Sequence, residues 1–282
     1  MRLPTLLLRR RKKVYKNKFG HILILAGSGN MLGAACLSGL AAMRAGAGLV
    51  TIGIPKSLNR ILQKKISSVI MTLPLPETKV QTLSHLAYNE LKKRWGNFAA
   101  IAIGPGLSTH PSTQKFILQV IKTAPHPLVL DADALRAIAG NLPSLAKTTI
   151  PKILTPHPGE MAVLTKLDRD YIEKNRKTVA KEFAQNHRCI LVLKGHHTVI
   201  ANELGNIYIN KTGNPGMTKA GTGDVLAGLC AGFLSQSKDL LQSAINSAYY
   251  NGLIGDILYK KKKGYSYLAS DMVEEIKRII GN

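Results

Sequence analysis

His21-Ile22-Leu23-Ile24-Leu25-Ala26 runs directly into Gly27-Ser28-Gly29-Asn30-Met31-Leu32-Gly33-Ala34. A short, unbroken apolar run with a glycine on each side reads as a strand buried on both faces. The glycines turn the chain, and the Ala/Leu/Gly pattern that continues to Gly46 predicts a tightly packed helix. Gly48-Leu49-Val50-Thr51-Ile52-Gly53-Ile54 reads as a second strand, ended by Pro55. Strand, helix and strand in that order imply a parallel pair, and so an α/β fold. The glycine spacing is not the dinucleotide fingerprint, and no Gly-Lys-Ser/Thr closes it as in a P-loop.

The alternation continues outward from this unit. Residues 79–94 read as helical, with Leu83, Leu86, Ala87 and Leu91 apolar among polar positions. Phe98-Ala99-Ala100-Ile101-Ala102-Ile103 is the next strand, and Gly104-Pro105-Gly106-Leu107 forms a rigid, open turn at its carboxyl end. After a helix near 111–123, Leu128-Val129-Leu130 leads into Asp131-Ala132-Asp133. Two carboxylates there could orient a Mg2+–water cluster or cap the following helix, and Asp131, at the strand end, is the functional candidate.

Ile150–Thr155 is a further strand, followed by Pro156-His157-Pro158-Gly159-Glu160. Pro158 suits a first helical turn and Glu160 its positive end. His157, between two prolines, is left to donate to an anionic substrate. A long amphipathic helix, roughly 168–187, precedes the strand Cys189–Leu193. Lys194 at its end could snorkel to the surface or reach a nucleotide phosphate. Val199-Ile200-Ala201 and Asn206-Ile207-Tyr208-Ile209 read as a hairpin. Helices at about 238–260 and 270–280, the second capped by Ser270, close the chain.

Between hairpin and helices lies Gly213-Asn214-Pro215-Gly216-Met217-Thr218-Lys219-Ala220-Gly221-Thr222-Gly223-Asp224, which opens an apolar helical pattern. A helix start leaves backbone N–H groups unpaired and carries partial positive charge. Gly221 and Gly223 would let phosphoryl oxygens lie against those groups. A carboxylate beside a phosphate cradle repels its ligand unless it bridges a metal or takes a proton from a reacting hydroxyl, and Asp224 is so placed.

Composition narrows the function classes. A 45% hydrophobic content over 282 residues supports a packed core and argues against disorder. Cys36, Cys189 and Cys230 are odd in number and widely spaced, which fits buried small hydrophobes rather than disulfides or a zinc site. The net charge of +23 would attract polyanions. However, no aromatics interleave with the basic clusters at 9–13 and 260–263, so we read them as solvated faces and expect no nucleic-acid partner. The N-terminal apolar patch is too short for a signal peptide and no run is long enough for a membrane span, which makes a cytoplasmic protein the expectation.

The ordered set GSGNMLGA (27–34), GPGL (104–107), DADAL (131–135), TPHPGE (155–160), LKG (193–195) and GNPGMTKAGTGD (213–224) resembles the ADP/ATP-dependent NAD(P)H-hydrate dehydratases of the ribokinase-like superfamily. The resemblance spans roughly residues 16–280. It implies a central, mostly parallel sheet with helices on both faces, an α/β/α sandwich. It also implies a repair lyase: the S-epimer of hydrated NADH or NADPH is dehydrated while ADP becomes AMP or ATP becomes ADP. In this family the ring hydroxyl is thought to be phosphorylated before phosphate leaves.

By the same resemblance Asp224 would be the base, and the N–H groups of Gly221, Thr222 and Gly223 would stabilise the transferring phosphoryl group. Ala34, Gly106 and His157, with Asp224, would contact the hydrated dinucleotide. Lys194, Gly195, His196, His197 and Thr198, with Gly223, would hold the nucleotide. Mg2+ would bridge its phosphates, helped by Glu160 and by Asp131 through water. A homotetramer and a functional link to a separate NAD(P)H-hydrate epimerase are also implied. We expect residues 1–14 to be a basic extension and 15–282 a single dehydratase domain, with too few residues before the first strand to hold the epimerase domain fused to some members.

Two stretches depart from the family pattern: Lys219-Ala220 before GTGD, and Tyr15-Lys16-Asn17-Lys18-Phe19-Gly20 before the first strand. The main rival is a small-molecule kinase of the same superfamily, of the hydroxymethylpyrimidine or hydroxyethylthiazole type, which would use the same Asp224 and end with a stable phosphate ester. The HPGE element favours the dehydratase.

Overall fold

The computed structural model describes residues 15–280, so the basic extension expected at 1–14 lies outside the described residues. Chain order begins β1 (His21–Leu25), α1 (Leu32–Arg44), β2 (Leu49–Pro55), α2 (Asn59–Lys65), β3 (Met71–Leu75), α3 (Ala87–Lys92), β4 (Ala100–Ile103), α4 (Pro111–Thr123) and β5 (Leu128–Leu130). It continues with α5 (Asp133–Ala139), α6 (Leu142–Lys147), β6 (Lys152–Leu154), α7 (Pro158–Thr165), α8 (Arg169–Lys174), α9 (Arg176–His187) and β7 (Ile190–Leu193). Then come β8 (Val199–Ala201), β9 (Ile207–Ile209), α10 (Thr222–Ser237), α11 (Leu240–Lys261) and α12 (Ala269–Ile280).

The strands form one sheet in the order β3-β2-β1-β4-β5-β6-β7-β8-β9. Every pairing from β3 to β7 is parallel, and β7-β8-β9 is an antiparallel meander. Alternate side chains of each strand point to opposite faces. Leu23 and Leu25 join Ile101, Ile103, Phe116, Leu135 and Phe183 in a core on the face covered by α3 to α9. Ile22 and Ile24 join Ile52, Val129, Leu226 and Ala244 on the face covered by α1, α2, α10 and α11. This is the expected α/β/α sandwich, and it explains why the strands read as apolar throughout. All three cysteines are free, with Cys189 and Cys230 buried.

Three local expectations need correction. The predicted helix at 79–94 is helical only over Ala87–Lys92, because Thr78 and Thr82 close a tight turn through their hydroxyls (2.9 Å) and Thr113 donates to the Leu83 carbonyl (2.7 Å). The helix at 168–187 is two helices broken at Asn175. The last helix starts at Ala269, so Ser270 lies inside it; the Asp271 carboxylate accepts from the Leu268 N–H (2.8 Å) at that end. Strand β3 was not anticipated; it carries Pro74 and occupies a sheet edge, where a missing N–H donor is tolerated. Among the described residues, no helix is long and apolar enough to cross a membrane.

Candidate active site

In an open α/β sheet the ligand crevice forms where the strand order reverses direction. Here that point lies between β1 and β4: β2 and β3 build outward on one side, β5 to β9 on the other. The turns that follow these two strands are tied together, since the Gly27 N–H donates to the Pro105 carbonyl (2.8 Å). A Cβ at Gly106 would fall 3.0 Å from the Ala34 Cβ and 2.7 Å from the Met31 Cβ. Ala34 and Gly106 therefore share one wall, with Met31 beside them half exposed at 54%.

The ends of β5, β6 and β7 are neighbours, and each delivers one charged side chain. Asp131 follows β5, Glu160 sits in the first turn of α7 after β6, and Lys194 follows β7. The Lys194 Nζ lies 2.9 Å from Asp131 Oδ1 and 3.5 Å from Glu160 Oε2. Asp131 and Glu160 are buried, and Asp131 Oδ1 also accepts from the Thr155 hydroxyl (2.7 Å). Burial pulls the Lys194 ammonium pKa down, but the two carboxylates outweigh it and hold the pKa above its ordinary value. The ammonium is thus a fixed internal cation.

His157 is the N-cap of α7. Its Nδ1 accepts from the N–H groups of Gly159 (3.0 Å) and Glu160 (3.3 Å), while Glu160 Oε2 accepts from the His157 N–H (2.8 Å) in a capping box. With Nδ1 accepting, the ring proton sits on Nε2, 3.5 Å from Glu160 Oε1. Burial lowers the imidazole pKa, which keeps the ring neutral around pH 7. The ring therefore has a structural task that the sequence reading left unassigned.

Helix α10 starts against this cluster. Gly221 is its N-cap with φ +91°, and a Cβ there would meet Leu37 Cδ1 at 2.7 Å and Ala269 Cβ at 2.8 Å. Leu37 lies one turn beyond Ala34 on α1, so the crevice wall continues to the helix start. The Thr222 hydroxyl donates to the carbonyls of Met217 (2.9 Å) and Lys219 (3.0 Å), and the Val225 N–H makes the first helical bond to Gly221. That leaves the N–H groups of Gly223 and Asp224 with no acceptor among the described residues, as a helix N-terminus requires. A Cβ at Gly223 would sit 3.5 Å from Lys194 Nζ and 3.9 Å from Asp131 Oδ2. Burial, then the charge of Asp131, push the Asp224 carboxyl up to about 7, against the opposing pull of Lys194.

Gly195-His196-His197-Thr198 forms the tight β7–β8 turn. Thr198 Oγ1 donates to the Gly195 carbonyl (3.1 Å), and the His196 and His197 rings pack at 3.9 Å between centroids on the exposed rim. Asp133, the other carboxylate of its pair, serves the backbone instead: its Oδ2 accepts from the Ser108 N–H (2.7 Å).

Lys219 neither points to a phosphate site nor floats in solvent. Its Nζ donates to the carbonyls of Tyr265 and Tyr267 and lies 5.5 Å from the Tyr267 ring centre. The other departure, Tyr15–Gly20, leads into the start of β1, the end of the sheet opposite the crevice. Sequence reading passed over two participants, Thr155 and Arg176. Thr155 lay inside a quoted motif, but its bond to Asp131 depends on the β5–β6 pairing.

Comparison with known proteins places the chain in a family. A profile described as NAD(P)H-hydrate dehydratase matches residues 22–278. The chain is 39% identical over 274 residues to a bifunctional NAD(P)H-hydrate repair enzyme of Moorella thermoacetica, covering 97% of the chain but 52% of that relative. It thus spans about half the length of that curated relative. It is 35% identical over 270 residues to an ADP-dependent (S)-NAD(P)H-hydrate dehydratase of Bacillus subtilis, covering 94% of the chain and 90% of the relative. The crystal structure of an ADP/ATP-dependent NAD(P)H-hydrate dehydratase from Bacillus subtilis, co-crystallised with ATP/Mg2+, superposes with a TM-score of 0.78 at 32% identity, covering 97% of this chain and 94% of that one. These matches support a dehydratase over a kinase, and the chain belongs to the NAD(P)H-hydrate dehydratase family.

Proposed function

We propose that this protein returns the S-epimer of hydrated NADH or NADPH to NAD(P)H, with ADP converted to AMP and phosphate, or ATP to ADP and phosphate. One observation carries the reading: the free N–H groups at the start of α10 abut the Lys194–Asp131 pair, with Asp224 at the junction. An anion-binding helix start, a fixed cation and a carboxyl tuned to about 7 are what phosphoryl transfer to a hydroxyl requires.

Asp224 takes the proton of the ring hydroxyl as its oxygen attacks the terminal phosphorus of the nucleotide. The N–H groups of Gly221, Gly223 and Asp224 steady the charge on the phosphoryl oxygens, while the Thr222 N–H, expected to join them, donates to the Lys219 carbonyl (3.5 Å). Phosphate then leaves the ring carbon and a ring proton is lost, restoring the double bond. Ala34, Gly106 and His157 line the dinucleotide side, and Lys194 with the 195–198 turn lines the nucleotide side.

Among the described residues no three His, Cys, Asp or Glu side chains are grouped to hold a metal alone. The hard carboxylate oxygens of Glu160 and Asp131 suit Mg2+ held mainly by nucleotide phosphates, reached through water. Bound there, it would neutralise charge on the phosphates. The family resemblance also supports a homotetramer and a functional link to an NAD(P)H-hydrate epimerase that supplies the S-epimer.

The test is the fate of phosphate. Incubation with hydrated NADPH and ADP or ATP should release one inorganic phosphate per NADPH formed. Phosphate retained in an organic ester would instead favour the kinase reading.

A further inference from the structure

The turn that follows β7 is held from behind by one side chain. Arg176 opens α9, immediately after the Asn175 break that separates it from α8. Its guanidinium is largely buried, at 12% exposure, and reaches back to the end of β7. Nη2 donates to the carbonyls of Leu193 (2.8 Å) and Lys194 (3.1 Å), and Nη1 donates to Glu173 Oε2 (3.1 Å). Gly195 is shaped to receive it: its φ is +140°, and a Cβ there would fall 2.7 Å from Nη1. Nε is buried without a partner, so the group's placement serves the two carbonyls rather than its own full satisfaction.

The two consecutive carbonyls belong to the last residue of β7 and to the residue that follows it. Bound to one guanidinium, they fix the peptide planes on both sides of Lys194. The Lys194 N–H is already held by the Pro156 carbonyl (2.8 Å). Lys194 is therefore anchored at both backbone ends, and its Nζ is delivered to Asp131 and Glu160. A lysine at 176 could not copy this, because a point ammonium lacks the planar fork that serves two carbonyls and a carboxylate together.

We infer that Arg176 is a positioning residue for the nucleotide half of the reaction: it holds the Lys194–Thr198 turn in the shape that receives the ADP or ATP phosphates, touching neither substrate itself. The inference rests on the proposed nucleotide role of that turn. Its contacts are with the backbone of that turn, so its loss should act on nucleotide binding.

The test compares Arg176→Lys, Arg176→Met, Arg176→Ala, Lys194→Met and Thr198→Val. Nucleotide Kd is measured by calorimetry, together with separate KM values for nucleotide and hydrated NADH and a urea unfolding midpoint. For Arg176→Met we expect nucleotide Kd and KM to rise about tenfold, the scale of losing charge-assisted hydrogen bonds, with KM for hydrated NADH unchanged. Arg176→Lys should recover only part of this, and added ethylguanidinium should restore nucleotide affinity to Arg176→Ala, whose truncated side chain leaves room for it. If the Arg176 variants lose stability while nucleotide Kd and KM stay at wild-type values, the inference is overturned. If Lys194→Met and Thr198→Val also leave nucleotide Kd unchanged, the turn does not bind nucleotide, and the underlying reading falls with the inference.

Discussion

Replacing Asp224 with asparagine should abolish the reaction and yet strengthen the fold. The side chain keeps its size and loses only its charge. In the wild type, burial and the neighbouring Asp131 carry the carboxyl from 3.8 to about 7. At about 1.36 kcal/mol per pH unit, an ionised Asp224 disfavours the folded state by about 4 kcal/mol. Because the folded pKa is raised, the stabilising contribution of the protonated form is complete below 3.8 and is lost as pH rises through about 7. Asparagine has no such loss. The stability advantage of Asp224→Asn should thus be about 1 kcal/mol near pH 4.5 and grow to about 4 kcal/mol at pH 8. Urea unfolding of both proteins at the two pH values measures it. A difference that stays flat with pH, or a variant weaker than wild type at pH 8, would refute the reasoning. The same pKa predicts that wild-type kcat/KM climbs with pH and levels off above about 7, as Asp224 becomes ionised and able to accept a proton.

The remaining predictions follow from the groups around it. Lys194→Met leaves Asp131 and Glu160 buried without their cation and should lower stability by about 3–5 kcal/mol at neutral pH; adding Asp131→Asn to that variant should recover part of the loss in urea midpoint. His157→Ala removes the N-cap of α7 and should lower stability by about 1 kcal/mol. His157→Asn, which can still cap, should stay close to wild type in thermal unfolding while both variants raise KM for hydrated NADH.

Much of this was legible from the chain because β1, β2 and β4 to β8 are buried on both faces and so read as apolar runs. The carboxyl ends of those runs carry the glycines and charges of the crevice, and β–α–β order fixes which end that is. What escaped depends on partners far away in sequence. Lys194 and Asp131 are 63 positions apart, and only the order β5-β6-β7 makes their strand ends neighbours. The turn at 78–82 hides behind a helical apolar spacing, because Leu83, Ala87 and Leu91 are buried whether or not the first of them is helical. Pro74 disguises β3, since a proline is admissible only once the strand is known to lie at an edge. Arg176 is one charge among several in a stretch with the spacing of a single long helix. The break at Asn175, which aims it at β7, left no mark in the periodicity.

The most direct test of the central claim is absorbance at the reduced-nicotinamide band, with purified protein, Mg2+, hydrated NADH and either ADP or ATP, and Asp224→Asn run alongside. The account predicts that NADH absorbance returns only when a nucleotide is present and that the variant fails to restore it. Recovery by the variant at the wild-type rate, or no recovery by the wild type with either nucleotide, would contradict it.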